Sequence, residues 1–573
     1  MSRSAQTSLQ LSPVSEFAAT RESGNSADAD SESLSESSRS KVYFNIFFTT
    51  VLVAFPGVIF GFDLALNSRR GTSQNTVLQQ LAVDTFGPPR KAEFFLQIAR
   101  YSGGCLGALV SGGLCDSTGR RTVLRVASLI CAFGFAFQAS SVNLSMFLFT
   151  SFFTCLGLGA LTTSVPILIG ELSPALERGK YGSFWSISTV LGTIFFELSL
   201  PILHSWVVGW RIVYGLEVLL SALVVAASFL AVPESPRWFV LVSRNDDATK
   251  VLFPLRSRPE RQEEMSLLIS KVVLERSQNL GCWSDLFRRR GCMLERMLVC
   301  VGLQVVRQLS NVEPLNTLAL SVSTKFFGSQ QASQVSLSFG LFHFVASLAS
   351  AAFVDRYGRV PLLVFGGLCL FVVQLAVALQ GSNLYTDLQG FLLLVWCHLA
   401  VVFYSVSWGT VPWLICVEAQ PLSLRGKAFS FSNFVYWAGS IVVFAVSSNM
   451  ASETKMPRAV FSLTICLSSL FGAILVYFFL PETSQVTLEQ MDERFYAHSP
   501  RLLRWTLSGE VPSNATADAE VEGSGRGSSE DRIPQISHEQ LFVYMEDGAH
   551  AASRGASSIL PDEQEETQTG RTA

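Results

Sequence analysis

Charged residues are scarce in this sequence. Asp, Glu, Lys and Arg make up 15% of the 573 residues, whereas an average soluble domain carries roughly 25%. The net charge of −3 and the scattered Lys and Arg residues argue against nucleic acid as a partner. Hydrophobic residues, in contrast, reach 49% and the mean hydropathy is +0.36, so the chain is expected to lie in a membrane.

Several kinds of site are also missing. The eleven cysteines show neither metal-ligand spacing nor a credible extracellular pair, so we expect no metal site and no disulfide framework. No nucleotide-binding motif or catalytic triad occurs, and we expect neither an enzyme nor a cofactor. Residues 1 to 40 are rich in Ser and have no apolar core, so no cleaved signal is expected. The first apolar stretch would then direct insertion into the membrane.

Long apolar stretches are what the sequence has in abundance, twelve in all, most of them about twenty residues long. A bilayer core about 30 Å thick needs about 20 apolar residues per helix, and only helices or closed barrels satisfy the backbone inside it. Continuous rather than alternating hydrophobicity selects helices. The sequence therefore predicts an all-α membrane protein with twelve transmembrane helices. Their approximate bounds are 42–66, 93–114, 122–140, 144–170, 181–203, 211–232, 295–321, 334–354, 360–379, 389–416, 427–449 and 458–480.

Short charged motifs interrupt these stretches in the same order in each half. The two copies of each motif lie roughly 240 to 250 residues apart, as a duplicated six-helix bundle would give. The paired segments are Gly112–Arg121 with Asp355–Arg359, Glu171–Gly179 with Glu418–Gly426, and Pro233–Ser235 with Pro481–Thr483.

The expected organisation has five parts. They are a disordered N-terminal tail at 1–41, a first six-helix bundle at 42–232, a helical insert at 233–294, a second bundle at 295–480 and a mostly disordered C-terminal tail at 481–573. Lys and Arg concentrate on the side of the termini, so the positive-inside rule places both tails and the insert in the cytoplasm. The C-terminal tail is a candidate docking segment for a cytoplasmic protein. The plasma membrane is the expected location, with an internal membrane as the alternative.

Five motifs in order resemble those of the sugar porter branch of the major facilitator superfamily. They are Gly113–Arg121, Pro166–Gly179, Val232–Trp238, Trp408–Trp413 and Leu480–Thr483, and the resemblance covers about residues 42–492. It implies two six-helix bundles that alternate access around a central site lying between them.

Acidic and basic residues at the cytoplasmic helix ends are expected to form ion pairs between the bundles and so act as a cytoplasmic gate. Such pairs must break when that side opens, and exposed ones should each contribute about 1 kcal/mol or less. The candidates are Asp116, Arg120, Glu171, Arg178 and Glu234 in the first half, and Asp355, Arg359, Glu418, Arg425 and Glu482 in the second.

The seventh span is where this chain departs from the family. The family pattern there is Gln-Gln-Leu-Ser-Gly-Ile-Asn, and the chain has Arg307-Gln-Leu-Ser-Asn-Val-Glu313. Gln308 is kept, while Arg307 and Glu313 replace amides. These two residues do not share a face of an unbroken helix, although Pro314 could break it. An alternative is that they pair with each other or with Asp63 and plug a core that does not transport.

The resemblance implies a substrate site around one central cavity. His343 stands where the eighth span usually carries Asn, and two family tryptophans are retained, the second nearer the cytoplasm. The predicted substrate-binding residues are Gln308, Arg307, Glu313, His343, Trp413 and Trp437.

Asp63 lies where proton-coupled members of the family carry Asp. Those members pair it with an Arg of the fourth span, but Ser151 stands at that position here. The sequence therefore favours facilitative transport, unless Arg307 supplies the missing cation to this candidate for proton coupling.

The predicted function is a secondary carrier of a small polar solute, a hexose or related sugar or polyol, working by alternating access. The lipid bilayer and this solute are the expected partners. Two alternatives stay open. One is a nutrient sensor with a porter fold that does not transport, and the other is a carrier of a charged organic solute, because Arg307, Glu313 and His343 could bind a carboxylate or an amine.

Overall fold

The computed structural model describes residues 41–68, 89–205, 209–278, 280–288, 292–311, 313–380, 386–451 and 458–498. Within these ranges all regular structure is helical. The α-helices are, in chain order, α1 (41–54), α2 (Pro56–Ser68), α3 (Pro89–Thr118), α4 (Arg120–Ala139), α5 (Leu144–Leu172), α6 (Arg178–Gly182), α7 (Phe184–Ser205), α8 (Gly209–Leu230), α9 (Pro236–Leu241), α10 (Asn245–Leu252), α11 (Arg258–Ser277), α12 (Met293–Leu309), α13 (Glu313–Phe327), α14 (Ser329–Tyr357), α15 (Arg359–Gln380), α16 (Asp387–Val406), α17 (Val411–Glu418), α18 (Arg425–Ala451), α19 (Arg458–Phe479) and α20 (Met491–His498).

The all-α membrane fold predicted from the apolar stretches is confirmed. Eight helical segments of the described residues are long and apolar enough to cross a bilayer by length and composition alone. The other four predicted spans correspond to α3, to α7, to the pair α12 and α13, and to α19. The chain therefore has twelve spans, six in each half.

Two spans of the second half are interrupted. The seventh is divided into α12 and α13, and Pro314 lies in the first turn of α13, where a residue without an N–H group fits best. The predicted break at Pro314 is thus confirmed. The tenth span was expected to be continuous, but residues 407–410 separate α16 from α17, which has Pro412 in its first turn.

The two halves meet along two helix pairs that the repeat relates to each other. In one pair α3 packs against α18, and in the other α7 packs against α14. The first pair comes close together because Gly112 faces Ser430, and a Cβ atom on Gly112 would collide with that side chain. Small residues at helix contacts are typical of membrane bundles, where packing replaces the hydrophobic effect as the force between helices.

The helices α9, α10 and α11 lie between the two halves in sequence. They pack at one end of the bundles. Asn45 of α1 donates a hydrogen bond to the Pro254 carbonyl in this region at 3.2 Å, and Asp492 of α20 forms an ion pair with Lys271 of α11. Both described chain ends therefore lie at the same end of the bundles, which we call the motif end because the repeated charged motifs lie there. The five-part division stays a prediction, and most of both tails, 1–40 and 499–573, lies outside the described residues.

Candidate functional site

A cavity lies between the two halves, where the interrupted spans of the second half face α2 and α7. Its volume is about 140 Å³, roughly ten times the space that one water molecule needs, so it suits a single small solute. Its wall combines aromatic rings with polar and charged groups. Among the lining residues are Trp185, Glu197, Arg307, His343, Trp413 and Tyr436.

Arg307 brings a buried positive charge to this cavity. It lies in the last turn of α12, just before the interruption, and is only 9% exposed. Its Nη2 donates to the carbonyl of Gly409 at 3.3 Å, in the break of the tenth span. The guanidinium carbon lies 4.4 Å from the ring centroid of Trp413 and 4.9 Å from that of Tyr436. The two rings and the carbonyl hold the guanidinium group in place, since a cation is attracted to an aromatic face.

Half of the predicted substrate-binding residues line the cavity, namely Arg307, His343 and Trp413. Gln308 was expected there but is not among the lining residues. Its Nε2 donates instead to Ser440 Oγ of α18. The physical reason is helix geometry, because successive residues of α12 point about 100° apart and Arg307 already faces the cavity.

Trp437 and Glu313 also differ from the expectation. Trp437 is not among the lining residues; its Nε1 donates to Thr162 Oγ1 at 3.2 Å, and its ring packs against that of Phe60 with centroids 5.9 Å apart. It therefore joins the two halves beside the cavity. Glu313 begins α13, and its side chain lies outside the described residues. Glu197, which was not predicted, also lines the cavity, from α7.

Asp63 forms an ion pair within the first half. Arg100 of α3 donates to its Oδ2, and both side chains are only 4% exposed. The possibility that Arg307 supplies the missing cation to Asp63 is therefore not what the structure shows. Ser151 of the fourth span accepts a hydrogen bond from Gln138 at 2.6 Å, and the cation comes from the second span instead. Arg100 lies inside the predicted span 93–114, and an intramembrane cation is a signal that could have identified it.

Two glutamates at the motif end each bind two arginines, one from each half. The pairs, with their closest N–O distances, are Glu171 with Arg120 and Arg425, both at 3.0 Å, and Glu418 with Arg359 at 3.0 Å and Arg178 at 3.9 Å. All six side chains are at most 1% exposed. The estimate of about 1 kcal/mol or less for an exposed pair therefore does not apply to these pairs. Removing one partner of a buried pair typically lowers the stability by about 3–5 kcal/mol.

Arg178 keeps its charge in this environment. Burial lowers its pKa to about 10, because the attraction of Glu418 restores only part of the lost hydration. At neutral pH the guanidinium is still protonated. It also donates to the carbonyl of Val486 at 3.0 Å, beyond the last span.

Two aspartates bind the other half through the first turn of a helix. The contacts are Asp116 with the Gly426 N–H at 3.2 Å and Lys427 Nζ at 3.1 Å, and Asp355 with the N–H groups of Gly179 at 3.0 Å and Lys180 at 2.7 Å. A carboxylate is stabilised at such a position because the N–H groups of a helix start have no partner within the helix.

Glu234 and Glu482 were expected to form pairs between the halves, but each acts within its own half. Glu234 accepts a hydrogen bond at 2.9 Å from the N–H of the first residue of α4, and Glu482 accepts one at 2.9 Å from the N–H of the first residue of α15. The preceding residues, Gly119 and Gly358, have φ of +98° and +90°, and a Cβ atom there would collide with these carboxylates. Only glycine adopts this geometry easily, so these two glutamates are helix caps.

The described part of the C-terminal tail, 481–498, binds the motif end. Glu489 accepts from Arg237 Nε at 3.1 Å, and Arg237 in turn donates to the backbone carbonyl of Glu171. Burial alone would raise the pKa of Glu489, but the charges of Arg237, Arg178 and Arg425 outweigh it and hold the pKa below its ordinary value. This contact was not predicted, because Glu489 belongs to no recognisable motif.

Known proteins resemble this chain over most of its length. The family model "Sugar (and other) transporter" matches residues 49–495. The low-affinity glucose transporter HXT1 of Saccharomyces cerevisiae is 26% identical over 499 residues, which are 82% of this chain and 85% of HXT1. The galactose-proton symporter of Escherichia coli K12 is 24% identical over 453 residues, 78% and 93% of the two chains. The structure of the proton:xylose symporter XylE bound to 6-bromo-6-deoxy-D-glucose has the same fold, with a TM-score of 0.69 at 21% identity over 79% of this chain and 99% of that one.

Proposed function

Because the chain belongs to the sugar (and other) transporter family, we propose that it carries a monosaccharide or a related polyol by alternating access through the central cavity. It is a membrane carrier and not an enzyme. The observation that carries the proposal is the cavity between the halves, together with the buried contacts between the halves at the motif end. The relatives do not favour the alternative of a sensor that does not transport.

The motif end is the cytoplasmic end in this proposal. The Lys and Arg content of its loops supports this orientation through the positive-inside rule, and both termini are then cytoplasmic. We place the carrier in the plasma membrane, as the expected location of a nutrient carrier. The C-terminal tail beyond the described residues remains a candidate site for a cytoplasmic protein.

The proposed roles of the site residues follow from their positions. Arg307, His343 and Trp413 contact the solute directly, because they line the cavity. Gln308 and Trp437 would reach the solute only after a movement that breaks their contacts to Ser440 and Thr162. The pairs between the halves at the motif end form the cytoplasmic gate.

Proton coupling is proposed to take place at Asp63 and Arg100. Facilitative transport was predicted because Ser151 leaves Asp63 without a cation from the fourth span, but Arg100 of the second span supplies one. Protonation of Asp63 removes one charge of a buried pair and so weakens its contact with α3. Since α3 packs against α18 of the other half, such a change can alter the contact between the halves.

The test is sugar accumulation in proteoliposomes with an imposed inward proton gradient. Wild-type protein should accumulate D-glucose or D-galactose above equilibrium, and a protonophore should abolish the accumulation. Asp63→Asn should keep counterflow exchange but lose accumulation, because the amide cannot exchange a proton. Ser151→Ala is the matched control and should accumulate sugar like the wild type, since Ser151 bonds to Gln138 and not to Asp63. Wild-type uptake that ignores the gradient would show a facilitative carrier.

A further inference from the structure

The cavity contains a buried guanidinium that no carboxylate of the described residues pairs with. Arg307 is 9% exposed, and in the part of the chain that the structure describes its Nε and Nη1 have no hydrogen-bond partner. Its polar contact is the Gly409 carbonyl at 3.3 Å, and no acidic side chain of the described residues forms an ion pair with it. Burial of a cation without a counter-ion is unfavourable, because it removes part of the hydration of the charge.

The two aromatic rings offset only part of this loss. Trp413 and Tyr436 face the guanidinium at 4.4 and 4.9 Å, which fixes its plane and its position. Among the described residues, its Nε and Nη1 groups still have no hydrogen-bond acceptor. The guanidinium of Arg307 is therefore pre-organised to bind a partner that enters the cavity.

The chemistry of a guanidinium selects the kind of partner. It has five N–H donors and no acceptor, and its forked geometry matches a carboxylate through two parallel hydrogen bonds. A neutral hydroxyl can accept one such bond but brings no charge. An amide, which the family pattern has at this position, reads hydroxyls without burying a charge, so an arginine here changes the preferred solute.

The other polar part of the cavity suits hydroxyl groups. Glu197 lines it from α7, and its Oε1 accepts a hydrogen bond from Ser336 Oγ at 3.0 Å. Trp185, which packs against Trp413 with ring centroids 6.3 Å apart, lies twelve residues earlier on the same helix. At 1.5 Å per residue the two positions on α7 are roughly 18 Å apart, so Glu197 and Arg307 lie toward different ends of the cavity.

We infer that the preferred solute is an acidic monosaccharide, with its carboxylate on Arg307 and its hydroxyl groups toward Glu197 and Ser336. This inference rests on the proposed function, since it assumes sugar transport through this cavity. It keeps the solute within the sugar class and adds one negative charge to it. Uronic acids, in which a carboxylate replaces the terminal CH₂OH of a hexose, are the matching compounds.

D-Glucuronate and D-glucose are the probes that test this, because they differ only at C6. Purified wild-type protein in proteoliposomes should exchange radiolabelled D-glucuronate at least about tenfold faster than D-glucose at low concentration, the ratio that about 1.4 kcal/mol of binding preference gives. D-Glucosamine, which would favour the Glu197 end, should be exchanged more slowly than D-glucuronate.

Arg307→Gln restores an amide at this position and should reverse the preference. D-Glucuronate exchange should fall about tenfold or more, while D-glucose exchange is kept or rises. Arg211→Gln is the matched control. Arg211 also stacks on a tryptophan, with its guanidinium carbon 4.4 Å from the Trp210 centroid, and also binds backbone carbonyls, but it does not line the cavity. Its ratio of glucuronate to glucose exchange should equal that of the wild type.

The outcomes separate the two proposals. Wild-type exchange of D-glucose with little D-glucuronate exchange would overturn the acidic solute and leave sugar transport in place. A preference for D-glucosamine would overturn it in favour of a cationic sugar. Exchange of none of the three compounds would count against both proposals. If Arg307→Gln does not fold, the ratio of D-glucuronate to D-glucose exchange by the wild-type protein alone tests whether the preferred solute is acidic.

Discussion

Arg100 and Asp63 illustrate how strongly single residues depend on one another in this molecule. Both side chains are only 4% exposed, so each charge has given up its hydration in exchange for the other. Such a pair adds little net stability compared with two apolar residues. The loss of one partner, however, leaves the other charge buried without its counter-ion in this pair.

Arg100→Gln should therefore destabilise the protein by up to about 3–5 kcal/mol, the typical cost of breaking a buried pair. The double variant Asp63→Asn with Arg100→Gln should recover part of that loss, because it removes both charges. Thermal unfolding of the detergent-purified variants, followed by tryptophan fluorescence, measures the difference. Ser151→Ala serves as the control and should lose about 1 kcal/mol, the value of one hydrogen bond. A double variant no more stable than Arg100→Gln would contradict the account of this pair.

The sequence identified some of these residues and missed others for a physical reason. Arg307 was found because it falls within a motif of fixed register, where a departure from the pattern is visible. Arg100 lies in the part of its span that precedes the motif Gly112–Arg121, and its partner depends on how α2 and α3 are placed in three dimensions. Glu197 and Tyr436 line the cavity from helices whose rotation the hydrophobic pattern does not determine.

At the scale of secondary structure, the motif end is held by contacts that are repeated in the two halves. Glu171 and Glu418 each keep an arginine of their own half when the arginine of the other half leaves. The proposed gate could therefore open without leaving either buried carboxylate unpaired. That arrangement lowers the cost of opening, which a carrier with two states of similar energy requires.

Arg178→Ala should shift the protein toward states that are open at the motif end. Glu418 then keeps Arg359 but loses its contact with the first half. A cysteine placed at Ser186 on the cavity wall reports the change, since labelling by a membrane-impermeant maleimide from the motif side should rise several-fold. Lys180→Ala is the control, because the Lys180 side chain is 47% exposed and pairs with the nearby Glu177 at 3.6 Å, within its own half. Labelling of Arg178→Ala equal to that of the parent would leave Arg178 no role in gating.

Glu489 ties the described part of the C-terminal tail to the motif end, and its contribution should depend on pH in a definite direction. Its pKa is held below the ordinary value, despite burial, by Arg237, Arg178 and Arg425. A carboxyl with a lowered folded-state pKa contributes stability above its unfolded pKa of about 4.3, and loses it as the pH falls through the folded-state pKa.

Glu489→Gln should thus lower the melting temperature by the same amount from about pH 8 to pH 6, and by less below about pH 4. Differential scanning fluorimetry at each pH makes the comparison. Glu263→Gln, at an exposed position on α11, should have no measurable effect at any of these values. A Glu489→Gln penalty that grows on acidification would mean that the sign of the pKa shift is wrong.

The elements themselves were largely predictable, because continuous hydrophobicity and bilayer thickness define helices without regard to tertiary structure. Pro314 predicted the break in the seventh span. The break before Pro412 was missed, because the apolar residues continue without a charge through 389–416. The motifs predicted which charges gather at the motif end, but not that Glu234 and Glu482 cap helices. That distinction depends on the positive φ of Gly119 and Gly358, which a sequence does not display.

For the whole molecule, the repeat has a mechanical consequence. Two helix pairs, α3 with α18 and α7 with α14, connect the halves beside the cavity, and the buried ion pairs of the proposed gate connect them at the motif end. A rocking of one half against the other would exchange gate contacts for access to the cavity, as alternating access requires.

The most direct test of this account is counterflow in proteoliposomes that contain only the purified protein. Vesicles loaded with an unlabelled solute are diluted into the same labelled solute, with D-glucose, D-galactose, D-xylose, sorbitol and D-glucuronate tried in turn. The account predicts a transient accumulation of label, several-fold above equilibrium, for at least one of them, because an alternating-access carrier returns loaded faster than empty. Equilibration without such an overshoot for every one of the five solutes would contradict it.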